Sequence, residues 1–136
     1  MNKRTLIPFA ALVLWLQHCP LHVQVHALIG SAAFAGGEAA WYWMWYGYAF
    51  TSIEQAAANV LIGVPFLVDG WRLLCPDAWM RVLLFPIAVW TFELVVGHVL
   101  IWLYGKNHAW SYSHGHQACP YCVFRWWGLA LVLELL

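Results

Sequence analysis

The chain has 136 residues, of which 64% are hydrophobic and 9% charged, against roughly 25% charged in an ordinary soluble domain. Six Lys+Arg balance six Asp+Glu, so there is no basic face for nucleic acid and no charge excess to draw acidic lipid. Eleven Trp and six Tyr suit the headgroup level of a bilayer, where amphipathic rings settle, and they serve equally as packing between helices.

Crossing the hydrocarbon layer takes roughly 20 mostly apolar residues, and the pattern predicts four such helices at about 5–29, 41–63, 80–104 and 118–136. The expected fold is all-α, a single membrane domain over 1–136 with four transmembrane helices in a compact bundle. The first segment opens with MNKR and then TLIPFAALVLWL, the charged and apolar order of a secretory signal peptide. Its apolar residues run on past a signal core, so it is read as a retained helix.

His18, His22 and His26 recur in this segment at i, i+4 and i+8, with Cys19 beside them. That spacing stacks imidazoles on one helix face and offers ligands for zinc, copper or haem iron. Against a metal or haem site stand the want of a matching ligand pair on another helix and Pro20, which interrupts the backbone bonds. A polar helix face lining the bundle is the plainer reading.

Residues 31–38 are small and Gly-rich and predict a turn. The second segment, WYWMWYGYAFTSIE onward, carries Glu54. Residues 64–79 hold Pro65, Asp69-Gly70 and Cys75-Pro76-Asp77 and predict a second turn flanked by interfacial stretches.

The third segment places Glu93 and His98 among apolar residues. An ionisable group near the bilayer centre costs about 2.5–3.5 kcal/mol on insertion scales, so it faces the bundle and finds a partner there. Glu93 and Gly97 are four apart on one face, where glycine lets a neighbouring helix approach. His98 lies about 140° around the helix from Glu93, so any partner for Glu93 is expected on another helix. Two readings follow: a proton or cation relay, or a structural carboxylate hydrogen-bonded across the bundle. Gly105 is placed to end this helix, and Trp110, Tyr112 and Ser113 can anchor and cap it at the interface.

CPYC, residues 119–122, is the most conspicuous short motif. Cys119 and Cys122 at a helix start have the spacing of a redox disulfide with a lowered thiol pKa. The same letters occur in glutaredoxins, whose soluble strand-and-helix fold is not expected here. On four helices the motif resembles membrane thiol oxidoreductases of the vitamin K epoxide reductase kind, which implies a quinone or a redox protein as partner. Those enzymes use a second cysteine pair, and Cys19 and Cys75 do not form one in sequence. A structural disulfide and a zinc knuckle with His114 and His116 remain open beside it.

The spaced features together resemble one family. Trp41, Tyr46-Gly47 and Glu54, then Glu93, Gly97 and the Trp-Ser-Tyr-Ser of 110–113, are similar to the hallmark of the ABC-transporter type IV family, the bacterial relatives of the transmembrane protein 229 group. Ser111 stands where that pattern has Asp, and Cys75-Pro76, Gly128 and Glu134 match loosely. The resemblance implies a small four-helix integral membrane protein associated with transport. The chain has no Walker-type phosphate loop, so an ATP-driven role implies a separate ATPase subunit.

The expected function is therefore a transport-associated or scaffold membrane protein, with intramembrane carboxylates Glu54 and Glu93 in its interior and no catalysis or bound cofactor. The alternatives are a membrane thiol–disulfide oxidoreductase and a haem or metal-binding membrane protein. Expected partners are the lipid bilayer, further copies of the chain or separate transporter subunits, and no nucleic acid. Lys3, Arg4, Arg72 and Arg81 fall on one side of the four spans, and Lys106 and Arg125 on the other. By the positive-inside rule this puts both termini in the cytoplasm, in a plasma or inner membrane.

Overall fold

The computed structural model describes residues 3–49, 52–107, 109–110, 118 and 120–135. Those residues form helices and connecting turns with no strand. Five helices follow one another: α1 (Lys3–His18), α2 (Leu21–Tyr46), α3 (Ile53–Leu74), α4 (Ala78–Tyr104) and α5 (Val123–Leu133), the last preceded by a 3₁₀ turn at Pro120–Cys122. Two of them, α3 and α4, are long and apolar enough to cross a membrane.

The helix expected over 118–136 is the shorter α5, 11 residues after its 3₁₀ turn. The first two helix boundaries differ from the sequence reading as well, and local chemistry gives the reasons. The expected helix 5–29 breaks at Cys19-Pro20. Pro20 has no N–H for the carbonyl of Leu16 and disfavours helical backbone in the residue before it. The Gln24 side chain takes up the carbonyls left over, donating from Nε2 to Leu16 O at 2.8 Å and to Cys19 O at 2.7 Å. Helix α2 then runs straight through 31–38, where a turn was expected. Glycines without a special backbone angle cost a helix only about 1 kcal/mol each, and Gly36 and Gly37 have no positive φ. The stop comes instead at Gly47, whose φ of 73° forms a left-handed cap with its N–H on Trp43 O. The expected second span, 41–63, is thus divided between the end of α2 and the start of α3.

Ser52 restarts the chain as an N-cap, its hydroxyl accepting from the Gln55 N–H at 3.1 Å. Helix α3 widens into π turns over Asn59–Gly63 and Pro65–Gly70, with Val64 N–H reaching back five residues to Asn59 O. Asp77 caps α4 by accepting from Met80 N–H at 2.8 Å, and Gly105 ends it with φ 78°. The predicted segment 80–104 lies wholly within α4.

The long helices run alternately up and down. His26 of α2 meets Asp69 of α3 at 2.9 Å, and Glu38 of α2 meets Gln55 of α3, so these two are antiparallel. Arg81 at the start of α4 holds Glu134 just past α5, which makes α4 and α5 antiparallel as well. Helix α1 packs against the start of α3, Ile53–Ala58, with Leu12 and Trp15 packed on the core. The described residues thus form five helices where four were expected, two of them long enough to span.

The core lies where α2, α3, α4 and α5 meet, around Val64, Leu67, Phe85, Val89 and Trp126. Helices α2 and α3 approach closely at Gly30, where an added Cβ would come within 2.7 Å of Val64 Cγ2. Much of the outside is apolar too: Leu73 is 84% and Trp102 83% exposed.

Candidate functional site

One polar group of side chains gathers in this apolar core. Glu93, 5% exposed, sits on α4 fifteen residues from Ala78 and eleven from Tyr104, about midway at 1.5 Å per residue. It lines a cavity of about 20 Å³ together with Glu38 of α2, Gln55 and Asn59 of α3, Trp110, and Trp126 of α5. Gln55 and Asn59 are buried, four apart on one face of α3, and Gln55 Nε2 donates to Glu38 Oε2. The π turn that begins at Asn59 shifts the helix register at this level, a deviation often found where a helix serves a site.

Arg125 supplies a counter-charge from α5. Its guanidinium lies 3.8 Å from the centre of the Trp126 ring and 5.9 Å from that of Trp41, and its charge offsets part of the cost of burying the Glu38 carboxyl group. Trp110 stacks on Phe92 at 6.4 Å between ring centres, closing the cavity beside Glu93. Buried amides and carboxylates held this way interact more strongly than in water, because the surroundings do not screen them. The arrangement can hold and pass a proton or bind a very small polar species.

The residues singled out in the sequence fall in several places. Gly97 is buried one turn after Glu93 on the same face of α4. His98 is exposed, with Nδ1 2.6 Å from Leu94 O. Glu54 does not line the cavity: it lies part-buried in the first turn of α3, close enough to Tyr104 to act on it electrostatically. Cys122 is buried and disulfide-bonded, whereas Cys19 and Cys75 are free thiols. Tyr112, Ser113, His114, His116 and Cys119 lie outside the described residues.

The three histidines of the first predicted segment are not stacked on one helix. His18 ends α1 with Nδ1 2.8 Å from Leu14 O, while His22 and His26 belong to α2 beyond the Pro20 break, and His26 Nε2 is held by Asp69. Among the described residues no three His, Cys, Asp or Glu side chains converge to hold a metal ion.

Glu38, Gln55, Asn59, Arg125 and Trp126 were not anticipated. Reading 31–38 as a turn placed Glu38 outside any helix. Gln55 and Asn59 did carry a signal, since two amides at i and i+4 in an apolar helix share one face, and such groups turn toward the bundle.

A second polar cluster ties the bundle at the end where α3, α4 and α5 meet. Arg81 grips Glu134 in a two-point fork, Nε to Oε1 at 2.8 Å and Nη2 to Oε2 at 2.6 Å, and also donates to Pro76 O at 2.6 Å. Arg72 donates to Leu133 O at 3.1 Å, satisfying a carbonyl at the end of α5 where cations are favoured. The Arg81 hydrogen bonds hold the Glu134 carboxyl below its ordinary pKa. A depressed carboxyl pKa stabilises the fold above its unfolded value and ceases to do so as pH falls through the folded one. Acidification below about 4 is therefore expected to lower the melting temperature, and Glu134→Gln to remove part of that acid-dependent drop. Thermal melts of the two proteins over a pH series test this; equal drops would show that the fork contributes nothing.

Compared with known protein families, curated proteins and solved structures, the chain matches none.

Proposed function

We propose that this chain is a small integral membrane protein associated with transport, whose helical bundle handles protons at the buried centre around Glu93. The observation that carries the reading is a carboxylic side chain set midway along a 27-residue apolar helix and surrounded there by Glu38, Gln55 and Asn59 from two other helices. Groups of this kind are costly at membrane depth and are kept where they serve a pathway. The apolar outer surface, with large side chains such as Leu73, Trp79 and Trp102 exposed, fits contact with lipid. The resemblance to the ABC-transporter type IV family points to the same class, with further copies or separate transporter subunits as partners. We place the chain in a plasma or inner membrane, with α3 and α4 as full spans and the other helices packed around them.

The test is proton flux into liposomes carrying the purified protein under an imposed pH gradient. Glu93→Gln should lower flux about a hundredfold, at the lower end of what a positioned acid–base group contributes, while Glu54→Gln should leave most of it. Equal flux in wild type and Glu93→Gln would reject the reading.

The thiol–disulfide alternative keeps one supporting observation, the disulfide at Cys122 on the first turn leading into α5. It predicts quinone-dependent cycling of that disulfide, abolished by Cys122→Ser and indifferent to Glu93→Gln. Thiol trapping followed by gel mobility separates the two.

A further inference from the structure

The cavity beside Glu93 carries a donor and an acceptor that together define what occupies it. Trp126 Nε1 and Gln55 Oε1 are buried with no hydrogen-bond partner among the described residues, in side chains only 5% and 6% exposed. Both residues line the same cavity of about 20 Å³. Burying either atom unpaired is costly, so an occupant that pairs both is favoured.

The chemistry of the two atoms is restrictive. An indole N–H only donates, and an amide oxygen only accepts. A bare metal cation cannot accept from the indole, and a halide cannot donate to the amide. A water molecule does both, and roughly 10–15 Å³ of such space suffices for one. The cavity is too small for an organic ligand, for which pockets of about 300 Å³ or more are usual.

We propose that a single bound water bridges Trp126 Nε1–H and Gln55 Oε1 and serves as the link between the carboxyl groups of Glu93 and Glu38. The first part stands on the two unpaired atoms and the cavity their residues share; the second rests on the proton-transport reading and narrows it, because the site passes protons and not dehydrated metal cations. In the transfer a protonated Glu93 gives its proton to the water while the water gives one of its own to the Glu38 carboxylate. One O–H bond breaks and one forms at each end, and the water is regenerated.

The experiment is nuclear magnetic resonance on the full chain in phosphatidylcholine nanodiscs, with nitrogen-15 in the tryptophan indoles and bulk water as the probe. Trp126→Phe identifies the Trp126 indole signal by its loss. The wild type should show a direct dipolar cross-peak between that indole proton and a slowly exchanging water. The near-isosteric Gln55→Met, which removes the acceptor, should abolish it while the other indole signals stay in place. Absence of the cross-peak in the wild type, or its persistence undiminished in Gln55→Met, overturns the site. A cross-peak in protein that passes no protons would support the water and contradict the transport reading; flux without a cross-peak would do the reverse.

Discussion

Gly30→Leu is expected to melt far below the wild type or to fail to fold. Glycine at this position lets α2 rest directly on Val64, which is 0% exposed. Even a lone Cβ would meet Val64 Cγ2 at 2.7 Å and Cγ1 at 3.0 Å, and β-branched valine has little freedom to rotate away. Gly30→Ala sets a gain of about 1 kcal/mol in helix propensity against that clash and should come out close to neutral or somewhat destabilising. Leucine adds three more carbons with nowhere to go, and overpacking of this sort costs about 1–3 kcal/mol or more. Gly36 is the control on the same helix: a Cβ there meets nothing within 4 Å, so Gly36→Ala should keep the propensity gain. Thermal melts in detergent rank the variants. A Gly30→Leu protein as stable as wild type would mean that α2 and α3 do not pack at this point.

The second large effect separates function from stability at one residue. Removing one member of a buried polar group leaves its neighbours unsatisfied, so Glu93→Met is expected to melt below the wild type. Glu93→Gln, which keeps the size and hydrogen-bonding capacity of the side chain, should melt near it and still lose proton flux. A carboxyl group kept only to join α4 to its neighbours gives a different pattern, with flux unaffected by Glu93→Gln. The comparison is direct because both variants leave the Gln55 to Glu38 hydrogen bond and the Arg125 stack on Trp126 in place.

Legibility in the sequence varied with the kind of signal. Helix α4 was readable because its apolar run is long and Gly105 stops it with a positive φ, a cap that glycine supplies at no steric cost. Helix α5 was readable as an apolar helix, but at 11 residues, Val123–Leu133, it is shorter than the span expected over 118–136. The first half was harder: Pro20 was expected to interrupt the backbone bonds of a helix and not to end one, and only the reach of Gln24 back to Leu16 O and Cys19 O shows how the corner there is satisfied. Gly36-Gly37 and Gly47 look alike in composition, yet only Gly47 takes the left-handed backbone. Composition does not tell a glycine that ends a helix from one that gives a neighbour room.

The site followed the same division. Glu93 stood out as a lone carboxylate in an apolar helix, whereas Glu38 and Arg125 become part of the centre only through the antiparallel packing of α2 on α3 and the placement of α5 beside them. Pairings of that sort depend on which helices touch, and no spacing within one segment encodes them. Glu54 was the converse case, a carboxylate as prominent in sequence as Glu93, which the Ser52 cap sets in the first turn of α3, away from the cavity.

Whether Glu93 sits at membrane depth on a helix that crosses the bilayer is tested most directly by thiol labelling from the two sides. Cys75 is a free thiol in the turn before α4, and Lys106 is exposed just after Gly105; α4 between them spans about 40 Å at 1.5 Å per residue, more than the hydrocarbon layer of about 30 Å. In sealed, oriented vesicles an impermeant maleimide should reach Cys75 from one side only and Lys106→Cys, made in a Cys75→Ser background, from the other only, with Cys19→Ser in both proteins. Labelling of both positions from the same side would contradict the account, because α4 would then not cross and Glu93 would not lie within the membrane.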